Sequence, residues 1–206
     1  MTLESSKTLG GIGAILMVIG PLASVYTGVI GLVGLILVLV AFNGLADYYK
    51  DRRIFNNVIF GVIAAIIGVV IAVVVVVSAA FDMLSVLGIH ISNWTDWSAL
   101  QNFNWQGFTD WSALAPYVAE IVGALVVLFV FVVVAAIFLR RSLNTLSEKS
   151  GTHMFATAGL LLLIGAALTV IVIGLILMWV ALILLAVAFF EMRTQPTQPQ
   201  TTTTSP

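Results

Sequence analysis

From Phe55 to Phe81 no side chain carries a charge, and the stretch is built almost wholly from Val, Ile, Ala, Gly and Phe. A run of that length constrains the fold more than any other feature of the chain. The hydrocarbon core of a bilayer is about 30 Å thick and takes about 20 helical residues. A backbone in lipid must satisfy its own polar groups, which a helix does. Tyr117 to Leu139 meets the same test, with one carboxylate, Glu120, close to its start. Thr8 to Ala46 and Phe155 to Phe190 are too long for single spans, and each fits two. The expected fold is an all-α integral membrane protein, a bundle of about six transmembrane helices near 8–22, 27–46, 55–80, 117–139, 154–170 and 173–191. These form a single transmembrane helical domain over residues 1–193, with two short-turn helical hairpins and one outer Trp-rich loop at 82–116.

The reversal in the first long tract is expected near Pro21 to Gly28. Proline removes a backbone donor there, and Ser24, Tyr26, Thr27 and Gly28 supply polar and permissive residues. The second tract has no comparable break, and Ala166 to Ile173 divides it evenly. The first helix of each hairpin is short enough to sit shallow or to thin the bilayer locally. Only 8% of residues are charged, against about 25% in soluble domains. No small-residue cleavage site precedes the first apolar tract, so the first span is expected to be retained. With no cysteine there are no disulfides or thiolate chemistry to consider.

Charge gives the orientation. The eight cations are Lys7, Lys50, Arg52, Arg53, Arg140, Arg141, Lys149 and Arg193, and six spans put all of them on one side. The positive-inside rule makes that side cytoplasmic. The expected location is the cell membrane, multi-pass, with both termini cytoplasmic and residues 82–116 outside. The outer loop holds Asp82, His90, Asp96 and Asp110 but no Lys or Arg. It also holds the chain's one Asn-x-Thr sequon, at Asn93, a candidate glycosylation acceptor that requires an external position.

Within that loop the string Thr-Asp-Trp-Ser-Ala-Leu occurs twice, at Thr95 to Leu100 and Thr109 to Leu114, and four of the five tryptophans lie there. Each threonine suits a helix cap, and each aspartate suits a first turn. Trp94, Trp97, Trp105 and Trp111 read first as an interfacial belt at headgroup depth. The sharper reading is a platform for a partner, in which the indoles act with Asn93, Gln101, Asn102 and Asn104.

Carriers and proton pumps place ionisable groups inside the membrane. The nearest candidates are Asp47 and Glu120, both close to span ends and both expected to reach water; Glu120, one turn after Pro116, is the candidate functional carboxylate. Neither His90 nor His153 falls mid-span, and no HExxH, GxSxG or phosphate-loop pattern occurs. No catalytic, cofactor or metal site is expected. Glycines at 10, 11, 13, 20, 28, 31 and 34, with Gly61, Ala64, Ala65 and Gly68, form small-residue faces that let helices approach closely in lipid.

Ala14 to Gly20 matches Gly159 to Gly165 in its apolar pattern, and Ile-Gly-Leu and Val-Ala-Phe recur in both hairpins, at 30–32 and 173–175 and at 40–42 and 187–189. The two hairpins have the same orientation, which makes this a parallel repeat. Thr194 to Pro206 is a low-complexity Thr, Gln and Pro tail, expected to be disordered and cytoplasmic.

Ser6-Lys7-Thr8-Leu9-Gly10-Gly11-Ile12-Gly13-Ala14, then Gly31-Leu32-Val33-Gly34 and Leu45-Ala46-Asp47-Tyr48-Tyr49-Lys50, resemble an uncharacterised family of prokaryotic, largely archaeal, multi-spanning membrane proteins, a domain of unknown function. The resemblance covers the spans, leaves out the tail and implies no activity. The residues themselves favour a non-catalytic scaffold or accessory subunit whose outer aromatic loop contacts a partner or the interface. The alternative is a small channel or carrier for an uncharged or weakly polar solute, using Ser78, Thr157 and Thr169. Expected partners are the lipid bilayer and another membrane protein or a second copy, and not nucleic acid.

Overall fold

The structure, a computed structural model, describes residues 2–20, 27–86, 111–171 and 173–192. Within them the chain is all-helical, an all-α membrane bundle. The helices are α1 (Leu3–Ile19), α2 (Thr27–Tyr48), α3 (Arg53–Val86), α4 (Trp111–Ser150), α5 (Met154–Ala167) and α6 (Ile173–Glu191). Four of these are long and apolar enough to cross a membrane: Gly28–Tyr48, Arg53–Val86, Leu114–Ser150 and Ile173–Glu191. α1 and α5, at 17 and 14 residues, reach only about 26 and 21 Å, whereas α3 and α4, at 34 and 40 residues, reach about 51 and 60 Å.

Packing follows a simple order. α1 packs on α2, α2 on α3, α3 on α4, α4 on α5, α5 on α6, and α6 returns to α1. Three antiparallel hairpins thus close into a ring. In lipid no water is expelled when helices meet, so close approach of backbones decides which faces pair. The glycines are placed accordingly. A methyl added at Gly13 would lie 2.7 Å from the Gly34 carbonyl oxygen, and one at Gly34 would lie 2.7 Å from that of Gly13. Gly61 and Gly68 of α3 sit against Ala135, Leu139 and Phe131 of α4 in the same way. Gly10 and Gly11 of α1 receive the rings of Phe189 and Phe190 from α6.

The core gathers toward the end of the ring where α2 passes into α3 and α4 into α5. Phe42, Phe155 and Phe189 are fully buried there among Leu45, Ile54, Leu143, Leu146 and Met192. Phe189 is the hub, edge-on to Phe42 at 5.7 Å and to Phe155 at 5.3 Å. Away from this end, Ile63, Ile66, Val70, Val73 and Val74 of α3 and Leu125, Val126 and Val130 of α4 are exposed, as lipid-facing residues are.

The parallel repeat has a structural counterpart in burial. Gly10, Gly13, Ala14 and Gly20 of the first hairpin are buried at the positions that Phe155, Ala158, Gly159 and Gly165 occupy in the last. Gly34, Val38, Ala41, Phe42 and Leu45 are likewise buried in register with Ala181, Leu185, Ala188, Phe189 and Met192. The exposed positions Ile12, Ile15 and Ile19 correspond to Thr157, Leu160 and Ile164.

Candidate functional site

Polar chemistry concentrates at the end of the bundle that carries the cations. α2 ends at Tyr48, and Lys50 takes a left-handed conformation with φ of 52° so that the chain can reverse within a few residues. This sets the Asp51 amide 3.0 Å from the Ala46 carbonyl oxygen. The Asp51 carboxylate then caps the first turn of α3, accepting from the Arg53 backbone amide at 3.1 Å. The Arg53 guanidinium closes on both carboxylate oxygens, Nε to Oδ1 at 3.0 Å and Nη2 to Oδ2 at 2.9 Å. Lys149, from the end of α4, lies 4.0 Å from Oδ2. Asp51 is the one buried ionisable side chain among the described residues. Hydrogen bonding from Arg53 holds its carboxyl below the usual carboxylate range, against the opposing effect of burial.

The other junctions at this end are tied as well. Ser142 of α4 donates to the Ile54 carbonyl of α3 at 2.6 Å, fully buried. Ser147 donates to the Thr152 carbonyl at 3.1 Å across the α4–α5 turn, which Gly151 makes with φ of 72°. Lys7 of α1 donates to the Met192 carbonyl just past α6 at 2.7 Å, a cation on the negative end of a helix. Arg52 bridges Asp47 and Asn43, each at 3.0 Å, in a more exposed arrangement. The arrangement is a set of latches between neighbouring helices and across their turns.

Of the residues singled out in the sequence, Asn93, Trp94, Trp97 and Trp105 lie outside the described residues, and Trp111 opens α4 without a described side chain. Glu120 is exposed on α4, one turn beyond Pro116. Ser78, Thr157 and Thr169 do not converge. Their hydroxyls donate back to the carbonyls of Val75, His153 and Gly165, three or four residues earlier in the chain.

Besides Ser142, two residues that the sequence reading passed over carry long-range polar contacts. Asp51 is one, and its signal was a carboxylate set among Lys50, Arg52 and Arg53. Trp179 is the other, the single tryptophan outside the outer loop. Its indole Nε1 donates to the Val18 carbonyl at 2.9 Å, tying α6 to the end of α1.

On the opposite half of the ring a cleft of about 420 Å³ opens between α4 and the α5–α6 turn. Val122, Val126, Phe129 and Val132 form one wall, and Thr169 and Val170 the other.

Comparison with known proteins agrees with the sequence resemblance. Residues 30–183 match a family described as "Protein of unknown function (DUF996)". The chain is 29% identical over 192 residues to "Uncharacterized protein MJ1644" of Methanocaldococcus jannaschii, covering 93% of this chain and 94% of that one. No solved structure matches the chain.

Proposed function

The chain belongs to the family described as Protein of unknown function (DUF996), and on that premise we propose that it is a non-catalytic membrane scaffold or accessory subunit. The observation that carries this reading is the closed end of the ring. Phe42, Phe155 and Phe189 meet where the helices converge, and the polar residues around them are engaged in holding neighbouring helices together. A conduit for polar solutes needs polar groups along its length, and the hydroxyls of Ser78, Thr157 and Thr169 instead bond to carbonyls three or four residues back in the chain. In this reading the six helices are embedded in the cell membrane, the cation-rich end faces the cytoplasm, and the tryptophan loop at 82–116 faces outward to meet a partner or the headgroups.

The test pairs transport with association. Proteoliposomes containing the purified chain should pass glycerol and urea no faster than empty vesicles in a stopped-flow swelling assay. A tagged chain should retain a membrane protein that is lost on Trp97→Ala and Trp111→Ala. Solute flux well above that of empty vesicles would replace the scaffold reading with the channel or carrier reading.

A further inference from the structure

We propose that the cleft between α4 and the α5–α6 turn is a binding site for one hydrocarbon chain of a membrane lipid, and that the turn lies within the hydrocarbon of the leaflet opposite the cation-rich end. Depth is the first argument. Val132 and Val122 stand about 10 and 26 Å along α4 from Leu139, the last apolar residue before Arg140 and Arg141. The cleft therefore runs from about a third of the way into a hydrocarbon core about 30 Å thick, through its middle and into the far half. Gly159 of α5 packs against Arg140, and Thr169 follows only ten residues, about 15 Å, later, so the turn stops beside these residues while α4 continues past them.

The finish of the turn is the second argument. Leu168, Thr169, Ile171 and Gly174 all donate their backbone amides within the turn or to the end of α5. The Thr169 hydroxyl folds inward to the Gly165 carbonyl at 2.9 Å, and Met178 sulfur stands 3.8 Å away. What the turn shows outward is Val170 and Ile171, at 75% and 59% exposure. A reversal facing water presents polar residues and unsatisfied amides; one that spends its polar groups internally and exposes branched aliphatics is built for lipid.

The occupant follows from the chemistry. Every side chain lining the cleft is apolar except Thr169, whose hydroxyl is already engaged. A volume of about 420 Å³ lies within the range of small-molecule sites. At this depth the available apolar molecule is a lipid tail, which fills the step left where α5 and α6 fall short of α4.

The test uses the full chain reconstituted in palmitoyl-oleoyl phosphatidylcholine nanodiscs and then released into mild detergent for native mass spectrometry. Wild type should retain one phospholipid per chain. Val126→Trp, which fills the cleft, should lose it, and Ile66→Trp, on an exposed face of α3, should keep it. Leu125→Phe serves as a gentler filler should Val126→Trp fail to hold its helical circular dichroism, and the same loss is expected. A Val170→Cys variant should resist an impermeant maleimide in intact vesicles and react with it once the vesicles are dissolved and the chain is unfolded in sodium dodecyl sulfate. Wild type without bound lipid, equal retention in the filled variants, a dimer that disappears on filling the cleft, or ready labelling of Val170→Cys by the impermeant reagent in intact vesicles would each overturn the proposal.

Discussion

Gly10 and Phe189 make a sharp test of the ring's closure, because one was given no side chain where the other places its ring. A methyl added at Gly10 would sit 2.6 Å from Cδ1 and Cζ of Phe189. The ring has no room to yield, being fully buried with Phe42 at 5.7 Å and Phe155 at 5.3 Å. Overpacking of this kind costs about 1–3 kcal/mol, and Gly10→Ala is expected to destabilise by that amount. Phe189→Ala is expected to cost a similar amount for a different reason. In soluble proteins Phe→Ala costs about 3–5 kcal/mol, but part of that is transfer from water, which is not at stake between helices already in lipid. What remains is chiefly two edge-on ring contacts at about 0.5–1.5 kcal/mol each.

In the double variant the collision has no partner. The two changes should therefore be less costly together than their sum, by about 1–3 kcal/mol, or roughly 5- to 150-fold in the unfolding equilibrium. Sodium dodecyl sulfate titration in mixed micelles, followed by tryptophan fluorescence, measures all four corners of the cycle. Ile176→Ala, at an exposed site on the same helix, serves as the control. Additivity within about 0.5 kcal/mol would refute the contact as the basis of closure.

Asp51 predicts an acid dependence. Its carboxyl is held below its ordinary value in the folded chain, so its contribution is present above about pH 4 and is lost as pH falls through the lowered folded value. Wild type should lose more melting temperature between pH 7 and pH 3 than Asp51→Asn does; equal losses would assign the dependence elsewhere. Trp179→Phe removes the donor to Val18 and should cost about 0.6 kcal/mol, up to about 1.7, in detergent unfolding. A methyl at Gly174 would strike Gly165, Leu168 and Thr169, whereas one at Gly123 meets nothing within 4 Å. Gly174→Ala should thus lower the melting temperature well beyond Gly123→Ala. Cysteines placed at Ser98 and at Glu148, which is exposed on α4, should label from outside intact cells at Ser98 and not at Glu148; the reverse pattern would invert the proposed orientation.

The all-helical membrane class was legible because uncharged runs such as Phe55 to Phe81 leave lipid as the only compatible solvent. Which faces meet was less legible. α5 and α6 are apolar on all sides, so no polar stripe marks an outer face, and the usual helical periodicity has nothing to contrast. The glycines gave a useful but incomplete signal: Gly13, Gly34, Gly61 and Gly68 lie at helix contacts, whereas a methyl added at Gly28 or Gly31 would meet nothing within 4 Å. The pairing of Phe42 with Phe189 was half visible in the repeated Val-Ala-Phe, but twelve phenylalanines offer many such coincidences. Asp51 was hidden by its neighbours. A carboxylate among three cations reads as an ordinary solvated turn, and only the left-handed Lys50 turns it inward to cap α3. Most of the tryptophan repeat, the most distinctive string in the chain, lies outside the described residues, although its last four residues, Trp111 to Leu114, open α4.

That α6 packs on α1 sets an order on how the protein is made. Lys7 meets Met192 and Val18 meets Trp179, contacts between residues 185 and 161 positions apart in the chain. The glycine face of α1 therefore waits, solvated by lipid or sheltered by the insertion machinery, until α6 has left the ribosome. A message truncated before Phe189 would leave two finished hairpins around an open seam, with Gly10 and Gly11 facing outward. Quality control that recognises exposed small-residue faces in the membrane would find its mark there.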